Sequence, residues 1–213
     1  MTGVGSYLPK NKYSNEDLTK FIDTSDEWIT KRSGIKFRHF VSKNETTSDM
    51  AVNAALNAII NAQIKKEVID LIIVATTTPD NTFPATATLV QKKLGINSVS
   101  FDVQAVCAGF VFALSVAKSM MKDNHYSNCL VIGADSMSKL LNWNDRTTSV
   151  LFGDGAGAVI LQKFENIDKK LNDWGILSNV IHSDGNSYDL LKTNGGVSNN
   201  QISGFIEMSG KEI

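Results

Sequence analysis

Cys107 is the residue of this sequence whose type and position best suit covalent chemistry. Residues 101–105 alternate between apolar and polar positions as a strand does, whereas from Phe110 onward the apolar residues recur at the spacing of a helix face. We therefore predict that Cys107 lies at a strand-to-helix junction. The free amide groups and positive dipole end of a helix N-terminus favour a thiolate over a thiol.

The neighbours of Cys107 allow two interpretations. Ala105, Ala108 and Gly109 are small, so a substrate carbonyl could approach the sulfur and backbone amides could stabilise an oxyanion. A single cysteine in an apolar segment is, however, more often a small buried hydrophobe. Local features leave the choice open for Cys107, whereas Cys129, in the middle of an apolar run, is interpreted as core.

Trp28 is the second residue whose type and neighbours suggest a functional role. It lies among charged residues on a short helix predicted from about Asp26 to Lys31, and Arg32 follows. An exposed tryptophan near arginines can stack on a base or ring. Equally, the indole can close one side of the core. Both interpretations remain open at this point.

Composition excludes several classes of protein. The 213 residues are 42% hydrophobic and 20% charged, with a net charge of −1 and no basic block, which predicts no nucleic-acid partner and no binding to an anionic membrane. The longest nearly apolar run, residues 105–117, is too short to span a bilayer. We expect no secretory signal at the N-terminus. Two widely separated cysteines form neither a disulfide framework nor a CxxC metal site, so we expect no metal and a cytoplasmic location.

Alternating helix and strand patterns predict the elements that position these residues. Thr47–Ala62 is an amphipathic helix with a stripe of alanines that permits close packing on a neighbour. Leu71–Ala75 is an apolar run typical of a strand buried on both faces. Further elements are predicted at Ala85–Leu94 (helix), Val99–Val103 (strand), the Cys107 helix to about Lys122, and Cys129–Ala134 (strand). This order predicts an α/β fold with a parallel or mixed sheet covered by helices.

The rest of the chain carries weaker signals. Leu151–Leu161 contains three alternating glycines, which we interpret as a turn entering a strand and, mechanically, as a tight hairpin beside the site. No GxGxxG or GxxxxGK[ST] motif supports a dinucleotide or P-loop site. Phe164–Trp174 is a polar surface connector, His182–Gln201 a loop, and strands are expected at Gly175–Ile181 and Phe205–Met208.

Several segments together resemble one known family. They are GVGSYLP, DTSDEWI, RSGI, VATTTPDNTFPATA, FDVQAVCAGFVFALSVA, the pair Asp145-Arg146, LFGDGAGAVIL and HSDG. In this order they resemble β-ketoacyl-[acyl carrier protein] synthase III, an enzyme of the thiolase superfamily that begins fatty-acid chains. The resemblance extends over essentially the whole chain.

The resemblance implies a thiolase-like, layered αβαβα fold built from two halves. Residues 1–165 would form a complete first half and residues 174–213 a truncated start of the second. It also implies that Cys107 is acylated by acetyl-CoA, without a cofactor. The acetyl group would then join malonyl-acyl carrier protein in a decarboxylative Claisen condensation, in a homodimer.

Particular residues match the family's binding positions. Trp28 and Arg146 match the pair that sandwiches the CoA adenine, and Arg32 matches a phosphate contact. The resemblance also implies a place at the mouth of the CoA tunnel for Thr24, places at its inner end for Met208 and Gly210, and an acyl-pocket contact across the dimer for Phe83.

The sequence also departs from the family. A catalytic His followed by Gln-Ala-Asn, and an Asn in a GNTSA segment, do not occur in these 213 residues. The three histidines, His39, His125 and His182, are interpreted as solvated or structural. Thr147 stands where Gly is common, and Lys211 where an amide is common. Two main hypotheses follow: a condensing enzyme seen in part, or a catalytically incomplete remnant or dimerising CoA-binding half without turnover. A third, another thiolase-superfamily enzyme with a different extender, is disfavoured by DTSDEW, which resembles the initiating synthase.

Overall fold

The structure is a computed structural model that describes residues 1–123, 125–164, 175–210 and 212. The chain divides into two compact units. Unit 1 comprises residues 1–8, 45–135 and 155–181, and unit 2 comprises residues 9–44, 136–154 and 182–213. Each unit therefore draws on three separate stretches of the chain.

The helices and strands follow one another along the chain in a mixed order. They are β1 (Gly3–Tyr7), β2 (Asn11–Ser14), α1 (Asn15–Leu18), α2 (Asp26–Ser33), β3 (Phe37–Phe40), α3 (Thr47–Ala62), β4 (Leu71–Ala75), α4 (Thr86–Leu94), β5 (Val99–Val103), α5 (Gly109–Met120), β6 (Asn128–Ser136), α6 (Arg146–Ser149), β7 (Asp154–Gln162), β8 (Leu191–Thr193) and β9 (Ile206–Met208). The predicted bounds of α3, β4 and β5 are confirmed to the residue.

A five-stranded mixed sheet forms the centre of unit 1, in the order β1-β7-β6-β4-β5. β4 runs parallel to both neighbours, with Leu71 opposite Val99 on one side and Cys129 on the other. β1 and β7 pair antiparallel. Every residue of β4 is buried, as its continuous apolar run predicts for a central strand.

Helices cover both faces of this sheet. Side chains of β4 alternate between two core clusters: Ile72 and Val74 pack under α3 and α4, whereas Leu71 and Ile73 pack under α5. Cys129 belongs to the α5 cluster, and burial raises the pKa of its thiol far above the ordinary value. Its interpretation as a core residue is confirmed.

Unit 2 is built on the antiparallel β2–β3 pair and short helices. Asn11 of β2 lies opposite Phe40 of β3. Phe40 lies edge-on to Trp143, with ring centres 5.4 Å apart, inside an apolar cluster that includes Leu18 and Ile29. A second antiparallel pair joins β8 to β9.

Three predictions differ from the structure. The stretch 182–201, predicted to be a loop, contains strand β8. Residues 176–181 form no strand: they join no β-ladder, and the apolar side chains of Leu177 and Val180 are exposed. The prediction that 151–161 is a turn entering a strand is confirmed, because β7 begins at Asp154. The tight hairpin is wrong, because β7 pairs with β1, with Gly157 opposite Ser6. That partner lies at the other end of the chain, where a local pattern cannot identify it. Residues 165–174 of the predicted connector lie outside the described residues.

Within the described ranges, no helix combines the length and the apolar character needed to cross a bilayer.

Candidate active site

Cys107 lies at the junction that the sequence predicts. β5 ends at Val103, a 3₁₀ turn covers Val106–Ala108, and α5 begins at Gly109. The Cys107 side chain is exposed, in contrast to the buried Cys129. The interpretation of Cys107 as a small buried hydrophobe is therefore excluded for the described chain.

The residue before the thiol has an unusual backbone. Val106 has φ 47°, in the left-handed region that β-branched residues rarely adopt. Its side chain is 49% exposed, so packing of that side chain does not account for the conformation. A backbone hydrogen bond from the Ala108 N–H to the Ala105 carbonyl, 3.0 Å long, closes the turn around it. Strained residues of this kind cluster at functional sites.

The start of α5 is fixed against the sheet by small side chains. A Cβ built on Gly109 would lie 3.4 Å from the Cβ of Ala75, the last residue of β4. Further along α5, Ala113 and Ala117 are fully buried in the cluster on that face. The exposed thiol thus projects from a turn whose following helix is closely packed. This arrangement suits a nucleophile that must attack from a fixed position.

A carboxylate and three threonines lie at the same edge of the sheet as this turn. β4, β5 and β6 are parallel, so the residues that follow them share one edge. The Asp135 carboxylate accepts hydrogen bonds from the Thr77 N–H at 2.7 Å and from the Thr76 and Thr78 hydroxyls at 3.4 Å. Burial raises the pKa of Asp135 above its ordinary value. No motif in the sequence marks this cluster, although an Asp directly after the apolar run Cys129–Ala134 is a usable signal.

Trp28 is held on α2 by two helix caps. The Ser25 hydroxyl accepts a hydrogen bond from the Trp28 N–H at 3.1 Å, and Gly34, with φ 71°, ends the helix. The Trp28 side chain is half-buried and packs against the apolar cluster of unit 2. The guanidinium of Arg32 lies over the indole, with Cζ 4.3 Å from the ring centre. Both interpretations of Trp28 therefore describe part of its environment.

Arg146 approaches the same indole from α6. Its Cζ is 5.0 Å from the Trp28 ring centre, and its Nη1 donates to the Asp23 carbonyl at 3.1 Å. Asp145 caps this helix by accepting from the Thr147 N–H at 2.9 Å. Two guanidinium groups thus flank one indole. Such a cluster suits a ligand that combines a flat ring with phosphate groups.

The other predicted binding residues lie in unit 2 as well. The hydroxyl of Thr24 is buried and makes no hydrogen bond within the described residues. Met208 ends β9, which contacts α6, and a Cβ on Gly210 would lie 3.3 Å from the Met208 Cε. Unit 2 therefore contains all six residues predicted for CoA. Cys107 and Phe83, whose side chain is 82% exposed, belong to unit 1.

Of the other residues that the sequence singles out, His39 and Thr147 make local structural contacts. His39 Nδ1 is 2.5 Å from the Pro9 carbonyl oxygen, which agrees with a structural role. The Thr147 hydroxyl donates to the carboxylate of its own helix cap, Asp145. Lys211 lies outside the described residues. Across the part of the chain that the structure covers, no group of three or more His, Cys, Asp or Glu side chains is arranged to hold a metal ion.

A polar cleft of about 590 Å³ occurs in unit 2, around the β8–β9 pair. Its lining includes Tyr188, Lys192, Asn194 and Glu207. Lys192 is already paired with Asp189 at 2.5 Å, and Asn194 donates to Glu207 at 2.9 Å. Each of the two charged lining side chains, Lys192 and Glu207, therefore already has a hydrogen-bond partner within the described residues.

Comparisons of sequence give consistent results. A sequence model described as 3-oxoacyl-[acyl-carrier-protein (ACP)] synthase III matches residues 101–185, which include Cys107. The chain is 56% identical over 212 residues to the β-ketoacyl-[acyl-carrier-protein] synthase III of Ehrlichia canis. It is 54% identical over 212 residues to the protein of that name from Paramagnetospirillum magneticum. Each alignment covers 99% of this chain and 65% of the relative, so the chain spans about two-thirds of the relatives' length.

Solved structures give the same result for the fold. The 3-oxoacyl-[acyl-carrier-protein] synthase III of Aquifex aeolicus matches with a TM-score of 0.87 and 44% identity, covering 99% of this chain and 64% of that one. The β-ketoacyl-[acyl carrier protein] synthase III of Thermus thermophilus matches with a TM-score of 0.89 and 35% identity, covering 99% and 65%. The predicted thiolase-like α/β fold is confirmed.

Proposed function

Since the chain belongs to the β-ketoacyl-[acyl-carrier-protein] synthase III family, we propose that Cys107 is the nucleophile of an acyltransferase that initiates fatty-acid chains. Its thiolate attacks the thioester carbonyl of acetyl-CoA. The new C–S bond forms as the bond to the CoA sulfur breaks, so the enzyme gains an acetyl thioester and CoA leaves as its thiolate. No redox or metal-dependent step is required by this exchange.

One observation carries the proposal most directly: the exposed thiol of Cys107 follows a strained backbone at Val106 and immediately precedes α5. A fixed, solvent-accessible sulfur at the start of a helix suits attack on a carbonyl that arrives from solution. Backbone N–H groups of the first turn of α5 are suitable donors to the oxyanion formed during the exchange.

The nucleotide end of CoA is proposed to bind in unit 2. There the Trp28 indole would stack on adenine, with Arg146 on the other side of the base. Arg32 would contact a phosphate, because a guanidinium matches phosphate geometry better than an ammonium does. Thr24 would lie at the mouth of the pantetheine tunnel, and Met208 and Gly210 at its inner end.

The second step and the partners are proposed for the longer protein. There the acetyl group would condense with malonyl-acyl carrier protein, which loses carbon dioxide in the same step. Residues 1–165 and 174–213 would correspond to the first thiolase half and the start of the second. The exposed Phe83 would contact the acyl pocket of a second copy in a homodimer. The present 213 residues contain neither family motif for the catalytic His and Asn.

Intact-mass measurement after brief incubation with acetyl-CoA tests the proposal. We expect one acetyl adduct on the folded 213-residue chain and none on a Cys107→Ala variant. The control keeps Cys129, whose burial and raised thiol pKa predict no reaction. Adding malonyl-acyl carrier protein should not release the adduct, because the His and Asn motifs are absent from these residues.

Two results would change the conclusion. A folded wild-type chain that gains no adduct would contradict the claim that Cys107 is a working nucleophile here. The alternative, a CoA-binding half without turnover, would then be favoured if CoA still bound. An adduct that persists in the Cys107→Ala variant would show that another group reacts.

A further inference from the structure

Arg38 is a buried cation of unit 2 that belongs neither to the Cys107 turn nor to the proposed CoA contacts. It lies on β3 and is only 5% exposed. Its Nη1 donates to the Asn15 side-chain oxygen at 2.8 Å, and its Nη2 donates to the Val150 carbonyl at 3.0 Å. One rigid guanidinium therefore joins two distant parts of the chain.

The first of these contacts leads to α2. Asn15, itself 1% exposed, uses its amide nitrogen to donate to the Asp26 carboxylate at 2.7 Å and to the Ile35 carbonyl at 2.8 Å. Asp26 is the first residue of α2, and this hydrogen bond from Asn15 holds the pKa of its carboxyl below the ordinary value. Arg38 is thus linked through Asn15 to both ends of α2, since Ile35 comes just after the Gly34 cap.

The second contact leads to α6. Val150 directly follows α6 and caps its C-terminus, and Val150 is almost completely buried. α2 carries Trp28 and Arg32, and α6 begins with Arg146. A single guanidinium therefore ties together the two helices whose side chains meet at the Trp28 indole.

The chemistry of the residue supports a geometric role. Burying a guanidinium costs free energy that an apolar side chain of similar volume would not. Burial also lowers the pKa of Arg38. Its partners are a neutral amide and a backbone carbonyl, so the charge gains no direct carboxylate contact from them. What arginine supplies is a planar fork with two donors held at a fixed angle, which lysine cannot reproduce.

We propose that Arg38 is the positioning residue of the nucleotide-binding cluster, setting the distance between the Trp28 indole and Arg146 through Asn15 and Val150. This inference rests on the proposed function, because it takes the ligand to be the adenosine phosphate end of a CoA thioester. Arg38 itself touches no substrate. Its loss lowers the affinity for that end of the ligand and leaves the reactivity of Cys107 unchanged.

The test compares two acetyl donors on the full 213-residue chain. Acetyl-CoA carries the nucleotide, and S-acetyl-pantetheine lacks it. The rate of Cys107 acetylation is followed by intact mass for both donors at equal concentrations below saturation. We expect the preference of the wild type for acetyl-CoA to fall by roughly tenfold in Arg38→Met, with an unchanged rate from S-acetyl-pantetheine. A residue needed only for folding would lower both rates together.

Two further variants keep the inference testable if Arg38→Met fails to fold. Asn15→Asp retains an acceptor for Arg38 but cannot donate to Asp26, and its carboxylate repels that of Asp26. It therefore breaks the link to α2 and should also reduce the preference. Lys12→Met removes a cation from β2, the partner strand of β3, where it lies over the Phe37 ring. This variant should leave the preference unchanged.

The possible results separate the two proposals. A wild type that prefers acetyl-CoA, with folded Arg38→Met or Asn15→Asp variants that keep the full preference, overturns the role of Arg38 and leaves the proposed function intact. A wild type that acetylates equally fast with both donors overturns the nucleotide site, and the role of Arg38 with it. Loss of the preference for acetyl-CoA in Arg38→Met and Asn15→Asp, but not in Lys12→Met, supports the inference.

Discussion

Gly5 of β1 lies against Ala54 of α3, backbone to backbone. A Cβ built on Gly5 would overlap both the Ala54 carbonyl oxygen and the Ala58 backbone nitrogen. The alanine stripe of α3 and the glycines of β1 therefore form one close contact between a helix and an edge strand of the sheet. The short distance between the backbones of β1 and α3 requires both the glycines of the strand and the small side chains of the helix.

Replacing Gly5 with alanine should therefore destabilise unit 1. The added methyl meets backbone atoms rather than a flexible side chain, so relief requires a shift of the whole helix or strand, which costs roughly 1–3 kcal/mol or more. Gly157→Ala is the matched control, because Gly157 lies on the paired strand β7 and has no heavy atom within 4 Å of its would-be Cβ. It should change the free energy of unfolding by less than about 1 kcal/mol. Urea unfolding measures the free energy of unfolding of both variants. Equal losses of stability in Gly5→Ala and Gly157→Ala would contradict the close contact at Gly5.

The sequence predicted those parts of the fold whose signals are local. The bounds of α3, β4 and β5 follow from periodicity within each segment, and the junction at Cys107 follows from a change of period. Packing of α3 on a neighbour was also expected, but its partner was not. The pairing of β7 with β1 joins residues 149 to 157 positions apart in the sequence, and no local pattern encodes it.

The candidate site was predicted unevenly for the same reason. Cys107 and Trp28 stand out by type and by their segments, whereas Arg38 looks like one of several basic residues of a loop. Its role depends on burial and on contacts to Asn15 and Val150, which only the folded chain brings together. The Asp135 cluster is similar, because three threonines after β4 gain meaning only beside the end of β6.

Replacing Val106 with glycine should be far less costly than the same change on α5. A non-glycine residue in the left-handed region costs about 1–3 kcal/mol, and glycine removes that cost while adding flexibility to the unfolded chain. Val111→Gly is the control, since Val111 is similarly exposed at 45% but lies in regular helix. We expect Val106→Gly to be at least about 1 kcal/mol more stable than Val111→Gly in urea unfolding. The reverse order would show that Val106 carries no strain.

Asp135 should make the stability of unit 1 depend on pH. Burial raises the pKa of its carboxyl above 3.8, so the unfolded chain releases this proton at a lower pH than the folded chain does. The contribution to stability is complete below pH 3.8 and is lost as the pH rises through the raised pKa. Asp135→Asn keeps an oxygen that can accept from the Thr77 N–H and removes the titration.

Unfolding free energies of wild type and Asp135→Asn, measured from pH 3 to 8, check this expectation. The free energy of unfolding of the variant should rise relative to that of the wild type as the pH increases, with the change centred above pH 3.8. A constant difference in unfolding free energy between the two proteins across this pH range would mean that Asp135 has the same pKa in the folded and the unfolded chain.

Binding of an adenine should displace Arg146 from the Trp28 indole. A base stacked on Trp28 and covered by a guanidinium needs two contact distances of about 3.5 Å each, and Arg146 Cζ lies only 5.0 Å from the ring centre. Its ion pair with the exposed Asp23, at 3.9 Å, resists this movement little.

Adenosine 3′,5′-bisphosphate should therefore quench the fluorescence of Trp28 in a saturable titration. Trp28→Phe should abolish that signal although Trp143 and Trp174 remain, whereas Arg146→Ala should weaken binding by roughly tenfold or less. An unchanged titration in Trp28→Phe would place the nucleotide elsewhere.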